Sequence, residues 1–191
     1  VRADLTVTMG LPKIDCVQPE NLDAVGILEV VDIGIPSEFV SAITGCADVE
    51  LIHPSDLVPL FPRRSRDTHK GDYGHVLCAG GSKGFSGAIV MACKAALRSG
   101  AGLVSAFVPE SIHALVAITV PEAMVHSVLP EIQWTAILAG PGMGRTATTR
   151  EQILQLLETS TVPLVLDADA VSVLSDHLEA VASAKGPVIL T

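Results

Sequence analysis

Short apolar runs of strand length alternate with longer stretches of helical period along most of the chain. Residues 76–79 (VLCA), 103–108 (LVSAFV), 123–128 (AMVHSV), 136–139 (AILA), 164–167 (LVLD) and 188–190 (VIL) read as strands. Between them, residues 86–99, 111–120, 148–158 and 170–182 read as helices. The clearest is 86–99, where Ile89, Val90, Cys93 and Leu97 mark one face and Gly100 stands ready to end the helix. Strand, helix, strand at this interval predicts an α/β fold with a mainly parallel sheet flanked by helices. Upstream, residues 4–8 and 28–35 (LEVVDIGI) predict two more strands in a hairpin-like arrangement.

The pattern breaks between residues 39 and 68, where Pro54, Pro59 and Pro62 interrupt regular structure and charge gathers at Arg63, Arg64, Arg66 and Lys70. That basic run reads as solvated surface. Two strands in some forty residues bury no core of their own. Residues 1–45 are therefore expected to be the tail of a domain whose body lies upstream, 46–68 a linker, and 69–191 the first part of a second domain. Gly186-Pro187 opens a strand just before Thr191, so that domain is expected to continue further.

Composition supports a packed chain. Of 191 residues, 49% are apolar and 17% charged, which favours a globular core over disorder. Aromatics are only 3%, so Val, Leu, Ile and Ala must fill the core, as suits a sheet covered on both faces. A net charge of -9 argues against nucleic acid as a partner. Cys16, Cys46, Cys78 and Cys93 form no CxxC pair and complete no zinc pattern, which fits a reducing cytoplasm. No apolar stretch reaches the roughly 18 residues that a membrane span needs, and no signal peptide is visible. His53, His75, His113, His126 and His177 are scattered and are assigned no catalysis.

Three motifs carry candidate chemistry. The first is HKGDYG (residues 69–74), a strand, then GGSKGFSGA (residues 80–88), a glycine-rich turn opening a helix. N–H groups at such a helix start lack partners and favour an anion or polar ligand. The turn lacks the Gly-Lys-Ser/Thr ending of a Walker A loop and the spacing of GxGxxG. The second is GPGMGR (residues 140–145), directly after a strand, where ligands of open α/β sheets sit. The third is Asp167-Ala168-Asp169 at the end of another strand. Asp169 reads either as a ligand-orienting acid or as the N-cap of helix 170–182. Each turn is also readable as an ordinary tight loop, and Lys70, Lys83 and Arg145 as ordinary surface.

In this order, HKGDYGHVL, GGSKGFSGAIVMACKAALRSGAGLV, LAGPGMGR, PLVLDADAV and PVILT resemble the ADP/ATP-dependent (S)-NAD(P)H-hydrate dehydratases. The segment VRADLTVTMGLPK with LEVVDIGIP is similar to the end of the NAD(P)H-hydrate epimerase domain that many bacteria fuse in front. The resemblance implies a ribokinase-like fold and removal of water from (S)-NADHX or (S)-NADPHX. ADP or ATP is consumed to turn the hydroxyl into a phosphate leaving group, with Mg2+ expected beside the nucleotide. It implies substrate contacts at Ala88, Gly142, Gly144 and Asp169. It places the catalytic base, the nucleotide segment and a substrate-binding His beyond Thr191, and the epimerase site with its K+ before Val1. The partners implied are the NAD(P)H hydrate, an adenine nucleotide and further copies of the same chain. Val171-Ser172 departs from the Leu-Asn usual after DADA, and Cys78-Ala79 from the usual aliphatics.

Two other readings remain. A ribokinase-like kinase for a vitamin or small alcohol shares the glycine turns but lacks an epimerase-like tail. A non-catalytic binding or assembly fragment keeps half a dinucleotide site without turnover. The 191 residues alone are expected to give no ADP-dependent recovery of NADH absorbance.

Overall fold

The computed structural model describes residues 1–44 and 51–191. Cys46 and the expected boundary at 45/46 lie outside the described residues. The chain forms two compact units, Val1–Arg63 and Arg64–Thr191.

In the first unit, β1 (Leu5–Met9) pairs with β2 (Ile27–Val31), Leu5 opposite Ile27 and Met9 opposite Val31. The pair is parallel, which corrects the hairpin-like reading. Residues 10–26 carry the short helices α1 (Ile14–Val17) and α2 (Leu22–Val25). A connection of that length is what a parallel pair requires, whereas a hairpin needs only a tight turn. Strand β2 stops at Val31 rather than running to residue 35, because the Asp32 carboxylate accepts the Gly34 N–H at 2.8 Å and turns the chain. Helix α3 (Ser37–Thr44) follows, and α4 (Pro54–Leu57) forms within the expected linker. Val7, Met9, Ile27 and Val30 are exposed on this small sheet.

The second unit contains β3 (His75–Ala79), α5 (Ser86–Arg98), β4 (Leu103–Phe107), α6 (Glu110–Thr119), β5 (Met124–His126), β6 (Ala136–Ala139), α7 (Ala147–Thr159), β7 (Leu164–Leu166), α8 (Asp169–Val173), α9 (Leu178–Ala182) and β8 (Val188–Leu190). All six strands are parallel, in the order β5-β4-β3-β6-β7-β8. Helices α5 and α6 bury Ile89, Cys93, Ile112 and Val116 against Cys78, Val104 and Ala106 on one face. Helices α7 and α8 bury Ile153, Leu157, Ala170 and Leu174 against Leu77, Ala79, Ile137 and Leu166 on the other. Aliphatic strands covered on both faces are the signature of a buried parallel sheet.

Helix α7 is held at its start by Thr146, whose Oγ1 accepts the Thr149 N–H. The single helix expected over 170–182 is instead two, α8 and α9. In one continuous helix Leu174 and Leu178 would share a face. Here Leu174 is 1% exposed and Leu178 is 62% exposed. Ser175-Asp176-His177 between them are weak helix formers that compete for backbone hydrogen bonds.

HKGDYG forms a capped 3-10 turn at the amino end of β3, with the Asp72 carboxylate accepting the His69 N–H. From the basic run, the Arg64 guanidinium stacks 3.8 Å from the Tyr73 ring and donates to the Gly100 carbonyl. Lys70 thus sits at the opposite end of β3 from the glycine turn. Among the described residues no helix is long and apolar enough to cross a membrane.

Candidate functional site

The strand order reverses between β3 and β6. From β3 the chain moves outward to β4 and β5, and from β6 it moves the other way to β7 and β8. The two following helices leave for opposite faces, α5 to one and α7 to the other. In an open parallel sheet this arrangement opens a crevice beyond the carboxyl ends of the two strands. The glycine turns 80–87 and 140–144 occupy that position.

The turns are joined to each other. Gly81 N–H donates to the Pro141 carbonyl at 2.8 Å, and Ser82 Oγ donates to the Gly142 carbonyl at 2.8 Å. Gly142 has φ +67, and a Cβ there would stand 2.8 Å from the Phe85 carbonyl oxygen and 3.1 Å from Ala88 Cβ. Only glycine fits this approach without displacing α5. Ala88 stands on the first turn of α5, facing the second glycine loop.

No side chain caps α5, and its first turn holds no acid. The N–H groups of Ser86, Gly87 and Ala88 thus lack intrahelical partners and point into the crevice end of the helix. Helix α7 contrasts with it, since Thr146 already serves its first turn. Among the described residues no partner accepts the Gly142 N–H either.

Gly144 and Asp169 are also brought together. Gly144 N–H donates to Asp169 Oδ2 at 2.9 Å, and Arg145 Nε donates to Oδ1 at 3.3 Å. Asp169 is the first residue of α8 and makes no side-chain cap, which corrects the N-cap reading. Its carboxylate is turned backward onto GPGMGR by Ala168, at φ +50 the one non-glycine residue with positive φ among the described residues. Such local strain persists where surrounding structure enforces it. Arg145 is 73% exposed, so its pairing adds little stability. The charge-assisted bond from the Gly144 amide is the stronger restraint. The neighbouring Asp167 carbonyl accepts the Ala170 N–H at 3.1 Å and closes the turn.

Sequence reasoning left two groups unassigned. His75 Nε2 lies 3.0 Å from Ser105 Oγ, which lies 3.2 Å from His126 Nε2. Trp134 meets the His75 ring edge-on at 4.7 Å. Burial first, and the neighbouring His126 second, hold His75 below its ordinary value of 6.5. A histidine kept neutral by the fold contributes stability above its unfolded value, and loses it as pH falls towards the depressed one. The thermal midpoint of the wild type should therefore fall more steeply than that of His75→Gln from about pH 7 to about pH 5. Parallel curves for the two proteins would contradict this. The second group is a set of hydroxyls, Ser127, Thr146, Thr148 and Thr149, around a cavity beside Gly80 and Gly81. Only the run TATT after the glycine loop hinted at it. Cys78 and Cys93 meet between β3 and α5, and contact with Cys93 and then burial push the Cys78 thiol far up. It acts as apolar filling.

Comparison with known proteins decides the family. The family model for NAD(P)H-hydrate dehydratase matches residues 76–191, which include both glycine turns and Asp169. This chain belongs to the NAD(P)H-hydrate dehydratase family. It is 36% identical over its whole length to the bifunctional NAD(P)H-hydrate repair enzyme Nnr of Moorella thermoacetica, covering 39% of that protein. An ADP/ATP-dependent NAD(P)H-hydrate dehydratase from Bacillus subtilis, co-crystallised with ATP and Mg2+, is similar at 30% identity and a TM-score of 0.58. The match covers 68% of this chain and 48% of that one. A ribokinase-like superfamily protein from Enterococcus faecalis matches at 29% identity and a TM-score of 0.53, over 60% of this chain and 43% of that one. The fold of the dehydratase-family unit is ribokinase-like. The chain spans about two fifths of the length of the curated relatives it matches.

Proposed function

We propose that this chain binds (S)-NAD(P)H hydrate in the crevice between its two glycine turns and serves the ADP/ATP-dependent dehydration that restores NADH or NADPH. The observation that carries the reading is the joining of the turns after β3 and β6 at the point where strand order reverses. A dinucleotide diphosphate is anionic, and free amides at the start of α5 and at Gly142 suit it. Ala88 and Gly142 are the proposed backbone contacts. Gly144 and Asp169 complete the site, Asp169 by fixing the loop that carries the glycines.

The nucleotide supplies a phosphoryl group that makes the hydrate's hydroxyl a good leaving group. The residues of this chain hold and orient the hydrate for that transfer, and such positioning accounts for much of phosphoryl-transfer catalysis. Among the described residues no group of three His, Cys, Asp or Glu side chains stands ready to hold a metal. We assign Mg2+ to the nucleotide phosphates, as is usual for that ion and in line with the Bacillus subtilis relative co-crystallised with ATP and Mg2+. Residues 1–45 fit the end of an epimerase domain and 69–191 the start of the dehydratase domain, in line with the bifunctional relative. Free thiols at Cys16, Cys78 and Cys93 fit a reducing compartment such as the cytoplasm.

Equilibrium dialysis of the 191-residue chain against hydrated NADPH, read by mass spectrometry, tests the reading. Saturable binding of the S epimer is expected. Binding of a small alcohol or hydroxymethyl-pyrimidine without any of the hydrate would instead favour a kinase.

A further inference from the structure

We infer that the cavity between Gly81 and the first turns of α7 receives the uncharged nicotinamide-ring end of the hydrated dinucleotide, with Gln152 and Ser127 as its polar anchors. This inference rests on the function proposed above and names where one part of that substrate goes.

The cavity, about 330 Å³, lies at the carboxyl ends of β3 and β4 and beside the start of α7. Its floor is the glycine pair 80–81, one side of which is closed to any side chain. A Cβ on Gly81 would stand 2.7 Å from Ile112 Cδ1 and 2.8 Å from Ile89 Cγ2. The same Gly81 is bonded to Pro141. The cavity thus adjoins the crevice of the two turns, with Met143 of the second turn in its wall. A dinucleotide whose diphosphate rests on the turns can place one end here.

None of the lining side chains carries a charge. A phosphate or carboxylate would leave water and find no counter-charge, and a cationic pyridinium ring would fare no better. A neutral ring loses little on entry. The hydrate's ring is neutral, in contrast to that of oxidised NAD(P), and it carries a hydroxyl and a carboxamide. Phe107, Val108 and Met143 offer apolar surface to the ring, and the polar groups stand on α7 and at residue 127.

Those polar groups are free to bond. Thr148 and Gln152 are one helical turn apart on α7 and share a face. Among the described residues neither side chain has a hydrogen-bond partner. Thr146 and Thr149, by contrast, are engaged with each other at 2.9 Å. Ser127 Oγ is the one buried side-chain oxygen without a partner among the described residues. Leaving a buried hydroxyl unpaired is costly, so such groups mark places where a partner is missing. A serine hydroxyl turns readily among its staggered positions to meet an arriving amide or hydroxyl.

Adenine is also a neutral heterocycle, so the test must separate the two ends of the molecule. The 191-residue chain is labelled for NMR at backbone amides, at the Gln152 amide and at the Met143 methyl. It is titrated with acid-hydrated reduced nicotinamide mononucleotide, with AMP, with oxidised nicotinamide mononucleotide and with hydrated NADPH. Only the hydrated mononucleotide and hydrated NADPH should shift Gln152 and Met143. Gln152→Leu and Ser127→Ala should each weaken the hydrated mononucleotide about tenfold, as expected for one lost hydrogen bond to a ligand. The same variants should leave AMP unchanged. Shifts at Gln152 with AMP or with the oxidised mononucleotide would overturn the assignment. So would hydrated NADPH binding that both variants leave intact, in which case the proposed function stands and this cavity falls. If no hydrated probe binds at all, both readings fall together.

Discussion

Gly140→Ala is expected to lower the thermal midpoint of the chain by about 10 °C, from a loss of roughly 3–5 kcal/mol. Gly140 lies at φ +124, where an alanine is strained whatever the space around it. Space is also lacking. Its Cβ would overlap the Asp167 carbonyl oxygen and stand 2.7 Å from Ala170 Cβ. The backbone cannot retreat, because the Gly140 N–H donates to the Ala79 carbonyl at 3.1 Å and its own carbonyl accepts from Met143 at 3.1 Å. The turns after β3, β6 and β7 are thus pinned at one residue. A midpoint within a degree or two of wild type would show that this packing is looser than described.

Gly142→Val is expected to weaken binding of hydrated NADPH by about a hundredfold or more while leaving the chain folded. Its branched side chain would enter the contact with Phe85 and Ala88 and push the start of α5 away. The usual cost of overpacking, about 1–3 kcal/mol, falls here on the loops rather than on the sheet core. Gly144→Ala supplies the comparison. Gly144 has φ +83, but the nearest atom to its Cβ is Thr146 Cγ2 at 3.9 Å. That variant meets only the conformational penalty of about 1–2 kcal/mol, and its binding should fall about tenfold at most. Dialysis and circular dichroism on the two variants separate a steric effect at the crevice from general unfolding. Equal losses for both would remove the special role given to Gly142.

Much of this was legible in the chain. Aliphatic runs such as AILA and LVL are short, bounded and free of charge, and a strand buried on both faces needs nothing else. The helix 86–99 announced itself through Ile89, Cys93 and Leu97, which fill one face of the core. The glycine turns were visible because only glycine permits the approaches found at Gly81, Gly140 and Gly142. What stayed hidden depends on which strands become neighbours. Local periodicity does not say that β6 returns to lie beside β3, yet that step brings GGSKGFSG and GPGMGR together. The parallel pairing of β1 and β2 was missed for a related reason, since two apolar runs look alike in either direction. Asp169 followed a good capping pattern, but the positive φ of Ala168 points its carboxylate at Gly144 instead. Ser127 follows β5 while Thr148 and Gln152 stand on α7, so only the packed structure brings the two segments around one cavity.

The central claim is that two glycine turns, sixty residues apart, act as one cradle for a single dinucleotide. It is tested most directly by titrating the amide-labelled chain with hydrated NADPH and following Ser86, Gly87, Ala88 and Gly142. All four amides should shift together and fit one dissociation constant. Response of only one turn, or two turns saturating at different concentrations, would contradict it.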